Sequence, residues 1–282
     1  MNDYNPGSMN DTRIAILGAG NMGRALLAGL LRSGTRPEQL SVGEPSPAAR
    51  EHLARELGVT ASADNAAAVE GAAVVVLAVK PQEAQAVLGG LADRWGTQRP
   101  LLVSVAAGLR VAQLAAWCGA GVAVVRAMPN RPALVGAAAT GMFAPREVAA
   151  PQRAVAEQVL SSVGEVIWVP SEDALDVVTA LSGSGPAYFF LLAQLMAEAA
   201  ERLGLEGSAA RRLATATLYG AGLLANSGDG DLARLRAEVT SAGGTTDAAL
   251  RVLEAATLRA TVARALEAAT LRARELAATQ PT

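Results

Sequence analysis

Residues 13–32 constrain the fold more than any other stretch of the chain. Arg13-Ile-Ala-Ile-Leu17 is a short apolar run, and Gly18-Ala19-Gly20-Asn21-Met22-Gly23 follows at once. From Asn21 to Arg32 the apolar positions Met22, Leu26, Leu27, Leu30 and Leu31 recur at helical spacing. The order is strand, glycine turn, helix. The turn fits G-x-G-x-x-G, a pattern that is weak alone and specific in this setting. Gly18 permits a tight turn, Gly20 lets the backbone approach a pyrophosphate, and Gly23 lets helix and strand pack closely, with phosphates facing the helix N-terminus. The competing reading is the same turn without a ligand.

Downstream, Leu40-Ser-Val42, Val74–Val79, Leu101–Val105 and Val122–Arg126 read as strands, with helices through Pro47–Leu57 and Val111–Cys118. Continuous apolar strands alternating with helices predict a parallel sheet covered on both faces. The alternation ends near Val166-Ile-Trp-Val169. Beyond Pro170 no β-branched run recurs. Tyr188, Leu191, Leu192, Leu195, Met196 and Ala199 form one face of a helix opened by Pro186 and stopped by Gly204, a second helix runs from about Ser208 to Ala225, and Leu258, Val262, Leu266, Ala273 and Leu276 mark a third. The expected class is therefore α/β: a Rossmann-type parallel-sheet domain over 12–169 after a loose tail at 1–11, then an all-α domain over 170–282. A helical half of about 110 residues has little area to bury alone. It is expected to pack on a second copy, making a homodimer or larger assembly.

Composition removes other classes. Of the 282 residues 51% are hydrophobic and only 3% aromatic, with a net charge of −2, which excludes disorder and gives no footprint for nucleic acid. Cys118 and His52 are the only residues of their types, so no metal site is expected. The first residues lack a basic then apolar leader, and apolar runs such as Ala72–Val79 are far short of a membrane span. No membrane partner and a cytoplasmic location are expected.

Glu44 follows the second strand, 21 residues after Gly23, where an acidic side chain binds a ribose diol and repels a 2′-phosphate. Ser46 and Arg50 lie nearby and serve a 2′-phosphate if the loop turns them inward, so NADH and NADPH both stay open. Ala78-Val79-Lys80-Pro81 sits at the carboxyl end of the strongest strand, the usual ligand edge of such sheets. Lys80 is the sole lysine among 24 basic residues, which favours a place along the cofactor over a merely solvated helix start.

In the helical half, Ser241-Ala242-Gly243-Gly244-Thr245-Thr246 precedes a helical run. Two glycines free the backbone to aim successive N–H groups at one spot, and hydroxyls add donors, as a carboxylate cradle requires; an ordinary helix cap is the alternative. Ser182-Gly-Ser-Gly-Pro186 is either a tight turn or a site wall. After Lys80 there is no lysine, and no histidine after His52. Oxidation of an alcohol calls for such a base. Reduction of a C=N bond is less demanding, because an iminium arrives protonated and the reaction needs mainly positioning.

The chain from Thr12 onward resembles the pyrroline-5-carboxylate reductases in Gly18–Gly23, Ala78-Val-Lys-Pro-Gln82, Arg126-Ala-Met-Pro-Asn130, Ala180-Leu-Ser-Gly-Ser-Gly-Pro-Ala187 and Val239–Thr246. The resemblance implies a helical domain interlocked with its partner's, up to a decamer, and reduction of L-1-pyrroline-5-carboxylate to L-proline by a nicotinamide hydride. It implies that Ser241, Gly243, Gly244, Thr245 and Thr246 hold the substrate, with Thr246 near the ring nitrogen. Gly18, Ala19, Gly20, Asn21, Met22, Gly23, Glu44, Ala78, Val79, Lys80, Pro81 and Asn130 are implied on the cofactor side. The chain departs from the family pattern at Ala242, Asp247, Arg131 and Glu44-Pro45; the Asp247 carboxylate is expected to point away from a bound anion. Two other classes fit less well: a β-hydroxyacid dehydrogenase-like enzyme, which calls for a lysine in the helical half, and a non-catalytic dinucleotide-sensing dimer.

Overall fold

A computed structural model describes residues 12–119, 121–228 and 230–279. The tail expected over 1–11 lies outside the described residues. Eight strands form one sheet: β1 (Ile14–Leu17), β2 (Leu40–Gly43), β3 (Thr60–Ser62), β4 (Val74–Leu77), β5 (Leu101–Ser104), β6 (Val124–Met128), β7 (Ala138–Phe143) and β8 (Gly164–Trp168), ordered β3-β2-β1-β4-β5-β6-β7-β8. The first six pair in parallel, and the chain reverses direction across the sheet at β1, between β2 and β4. Strand period decides what each face buries. Ile14, Ile16, Val74 and Val76 join one core with Leu26, Leu27 and Leu30 of α1 (Asn21–Arg32). Ala15, Leu17, Val75 and Leu77 join the other with Ala68 of α3 (Asn65–Val69), Leu88 of α4 (Pro81–Gly89), Trp95 of α5 (Ala92–Gln98) and Leu114, while α2 (Pro47–Leu57) and α7 (Ala150–Ser161) add Leu53 and Val155 to the first.

The sheet departs from the expected one in two places. Strands β3 and β7 carry no run of β-branched residues, and β7 lies antiparallel to β6. Thr60-Ala-Ser is too short to read alone, and Ala138-Ala-Thr-Gly-Met-Phe is a strand because both its edges are paired, to β6 and to β8. The direction follows from the connection: a single 3-10 turn at Arg131–Val135 links β6 to β7, and a return to parallel needs a longer crossover.

Cys118 ends α6 (Val111–Cys118) within the second core, and burial pushes its thiol up to about 12. With the thiolate as the reactive form, no labelling by a disulfide reagent is expected at pH 8 until denaturant is added. Rapid labelling of the native protein would show that α6 opens.

The chain divides into two compact units, residues up to Gly183 with those from Ala269 onward, and Ser184–Ala268. The second unit is helical: α9 (Gly185–Arg202), α10 (Gly207–Ser227), α11 (Leu232–Glu238), α12 (Thr245–Ala255) and the first part of α13 (Leu258–Ala278). Pro186 lies in the first turn of α9, where its missing N–H costs nothing. Glu206 caps α10 by accepting from the N–H groups of Ser208 and Ala209, and the Ser208 hydroxyl and these N–H groups hold its pKa down at about 2. Phe189, Phe190, Leu191, Leu192, Leu195 and Met196 of α9 are each at least half exposed. By length and composition the helical stretch Ala174–Arg202, with mean hydropathy 1.3 over its most apolar window, would suffice to cross a membrane.

Candidate active site

The first unit gathers the glycine turn and the Ala78–Pro81 segment at the carboxyl ends of β1 and β4, the crevice where such sheets bind ligands. The two segments touch. The Ala78 N–H donates to Leu17 O at 2.8 Å, and a Cβ on Gly18 would stand 2.8 Å from Ala78 O. Gly18 also has φ +98, a conformation open to glycine. A Cβ on Gly23 would lie 2.0 Å from Gly18 O. Gly20 differs: a Cβ there would meet no protein atom within 4 Å, so protein packing does not explain this glycine. Bare backbone at the N-terminus of a 12-residue helix is what a pyrophosphate approaches, so the residues present fit a dinucleotide.

Glu44 stands at the end of β2 and reaches the glycine turn. Its Oε2 accepts from Ala19 N–H and its Oε1 from Ser46 N–H, both at 2.9 Å. Arg50, the candidate for a 2′-phosphate, donates instead to the carbonyls of Glu44 and Pro45 at 2.8 Å each. Lys80 is exposed and precedes α4 (Pro81–Gly89), with Pro81 at the first helical position. Asn130 is buried just beyond β6. Its Oδ1 accepts from Ala139 N–H at 3.0 Å, and its Nδ2 donates to Ser182 O at 2.9 Å. It borders a cavity of about 240 Å³ shared with Asn21, Met22, Arg131 and Gly183.

The second unit carries Ser241–Thr246. Gly243 takes φ +69, the Gly244 N–H donates to Ser241 O at 3.0 Å, and α12 starts at Thr245. Asp247 in the first turn of α12 accepts from Gly243 N–H at 2.9 Å and pairs with Arg251 one turn on. Arg251 first, then that N–H, hold its carboxyl below the usual range. Its negative charge is thus matched locally. Helix geometry leaves the N–H groups of Thr245, Thr246 and Asp247 for an outside acceptor, and the macrodipole favours an anion there.

One feature escaped the sequence reading: a chain of ion pairs behind the β6 end. Arg126 on β6 donates to Glu172 at 2.6 Å, and the same oxygen accepts from Val111 N–H at 2.7 Å. Arg110 bridges Asp173 at 2.7 Å and buried Asp176 at 2.9 Å, and Arg274 of α13 stands 4.0 Å from Asp176. The three acids fall within Glu172–Asp176, and their partners are distant in sequence, so no local pattern announces them.

Two family models match the chain. Residues 172–276 match pyrroline-5-carboxylate reductase dimerisation, and residues 13–108 match NADP oxidoreductase coenzyme F420-dependent. The pyrroline-5-carboxylate reductase of Pseudomonas aeruginosa is 45% identical over 254 residues, covering 90% of this chain and 93% of that one. The chain belongs to the pyrroline-5-carboxylate reductase family. It is accordingly an oxidoreductase, and its helical region is the family's dimerisation domain. The Mycobacterium tuberculosis enzyme of that name is 41% identical over 274 residues, covering 89% of this chain and 92% of its own. Among solved structures, the Coxiella burnetii enzyme superposes with a TM-score of 0.92 at 41% identity, covering 95% of this chain and 99% of that one. The Plasmodium falciparum enzyme, solved with NADP bound, gives 0.80 at 26% identity, covering 95% and 99%. The parallel-dominated sheet followed by a helical domain is thus the family's fold, as the motif resemblance implies.

Proposed function

We propose that this chain reduces L-1-pyrroline-5-carboxylate to L-proline, the last step of proline synthesis, with NADH or NADPH as hydride donor. The observation that carries the reading is the α12 N-terminus: a glycine turn and hydroxyls beside free N–H groups, in a half that has no lysine or histidine. That equipment suits a carboxylated imine, which brings its own proton.

Ser241 and the N–H groups of Thr245 and Thr246 hold the substrate carboxylate, Gly243 and Gly244 supply the turn that aims them, and the Thr246 hydroxyl oxygen accepts from the protonated ring nitrogen. Gly18–Gly23 cradle the pyrophosphate at the start of α1, Ala78–Pro81 border it, and Lys80 lies along the cofactor ribose or phosphate. When bound, the nicotinamide supplies the hydride. Glu44, already oriented by Ala19 and Ser46, accepts from a ribose diol and disfavours a 2′-phosphate, which points to NADH as the better donor. The working unit is a homodimer or a larger assembly up to a decamer, in the cytoplasm, and the exposed apolar face of α9 supports self-association.

The deciding experiment follows reduced-nicotinamide absorbance with pyrroline-5-carboxylate and each donor in turn. Turnover is expected with both and faster with NADH; no turnover with either overturns the function, and a large NADPH preference overturns the Glu44 assignment. Thr246→Ala is expected to lower kcat/KM at least tenfold, about 1.4 kcal/mol of transition-state stabilisation. An unchanged value removes Thr246 from the site.

A further inference from the structure

We propose that Asn130 is a positioning residue rather than a cofactor ligand: its side-chain amide clamps the turn at Thr179–Gly183 to β7 and thereby sets one wall of the dinucleotide cavity. The idea rests on the dinucleotide reading above. Asn130 is 7% exposed, and its amide is engaged at both ends by backbone, Ala139 N–H on one side and Ser182 C=O on the other. Ser182 lies in a single turn of π-helix, Thr179–Gly183. Such turns widen a helix and recur at functional sites. Gly183, the last residue of that turn, shares the cavity with Asn21 and Met22 of the helix that faces the pyrophosphate. It also sits so close to the β6 end that a Cβ on it would lie 2.9 Å from Met128 Cε. The position of the turn therefore sets the width of the cavity.

The other end of the same segment is anchored independently. Glu172, just before α8 (Ala174–Val178), is tied to Arg126 and to Val111 N–H, and Asp173 and Asp176 are tied to Arg110. None of these side chains borders the cavity. Residues 172–183 thus form a strut held by ion pairs at one end and by Asn130 at the other, with the cavity wall at the Asn130 end.

The test is dissociation of reduced dinucleotide, read by nicotinamide fluorescence without substrate, alongside the melting temperature. Asn130→Asp keeps the acceptor for Ala139 but sets a carboxylate oxygen against Ser182 C=O. Protonation restores a donor of the same shape. Arg131 is the ionisable side chain bordering the cavity, and the acids of the strut are paired away from it. At pH 8 the variant is expected to bind about tenfold more weakly than wild type, an effect that corresponds to one decade in Kd. Its affinity is expected to recover towards wild type as the pH falls to about 5.5, the range in which a carboxyl facing a carbonyl in a buried site gains its proton. Glu172→Asp keeps the charge and shortens the strut by one methylene, and is expected to weaken binding in the same direction without touching the cavity. Wild-type affinity in both variants, even with lower melting temperatures, overturns the proposal. Loss in Asn130→Asp with wild-type affinity in Glu172→Asp also overturns it, in favour of direct contact with the cofactor. If wild type itself binds neither NADH nor NADPH, it is the dinucleotide reading that fails.

Discussion

Gly23→Ala is expected to reduce dinucleotide affinity more than tenfold and to destabilise the first unit. A Cβ there would stand 2.0 Å from Gly18 O and 3.5 Å from Ile16 Cγ2, against backbone that β1 holds in the sheet. No rotamer relieves a clash with a carbonyl, so α1 must move away from β1 and carry its N-terminus off the pyrophosphate position. Overpacking of this kind costs about 1–3 kcal/mol, which at this size corresponds to a fall of several degrees in melting temperature, about 2–4 °C per kcal/mol. Gly20→Ala is the control. A Cβ at Gly20 meets no protein atom, so its melting temperature is expected to match wild type while dinucleotide binding weakens, because the methyl group projects where phosphate approaches. Calorimetry and fluorescence titration on the pair check both statements. A Gly23→Ala protein with wild-type affinity would remove the glycine turn from the site.

The second large effect is expected at Glu172. Its replacement by alanine leaves Arg126, with 7% of its side chain exposed, as a charge without its partner, and also removes the acceptor of Val111 N–H. Burial already pulls the Arg126 guanidinium down from its ordinary pKa, and Glu172 works against that pull. Breaking a buried pair from one side costs about 3–5 kcal/mol, whereas replacing both partners by apolar groups of similar volume is often neutral. Urea unfolding at fixed protein concentration is therefore expected to show a large loss for Glu172→Ala and substantial recovery in Arg126→Met/Glu172→Met. A loss below about 1 kcal/mol in the single variant would place this pair with surface salt bridges. The fixed concentration matters because subunit association adds to apparent stability.

Much of the site is legible in the chain because its demands are local. A tight turn, a close helix and an open backbone each require glycine at a set distance from a strand end, so Gly18, Gly20 and Gly23 announce themselves, and the structure gives each a different surrounding. The same holds for Ser241–Thr246, where a turn with φ +69 at Gly243 leads straight into α12. Asp247 shows the limit of such reading. From sequence it is an anion set beside an anion cradle; its pairing with Arg251 and Gly243 N–H is a matter of one helical turn.

What the sequence determined by itself is the alternation of apolar strands and helices in the first half, the helical second half and the glycine and hydroxyl segments, because periods of two and 3.6 residues and glycine conformations are properties of neighbouring residues. Only the tertiary structure decided that Ala138–Phe143 is a strand and runs antiparallel, that Glu44 latches onto Ala19, that Asn130 bridges Ala139 to Ser182, and that Glu172 and Asp176 pair with arginines at 126 and 110. Most of these join groups far apart in the chain. Such partners meet only once the sheet order has been set, and a backbone N–H or carbonyl that bonds to a distant side chain carries no mark in the sequence that codes for it.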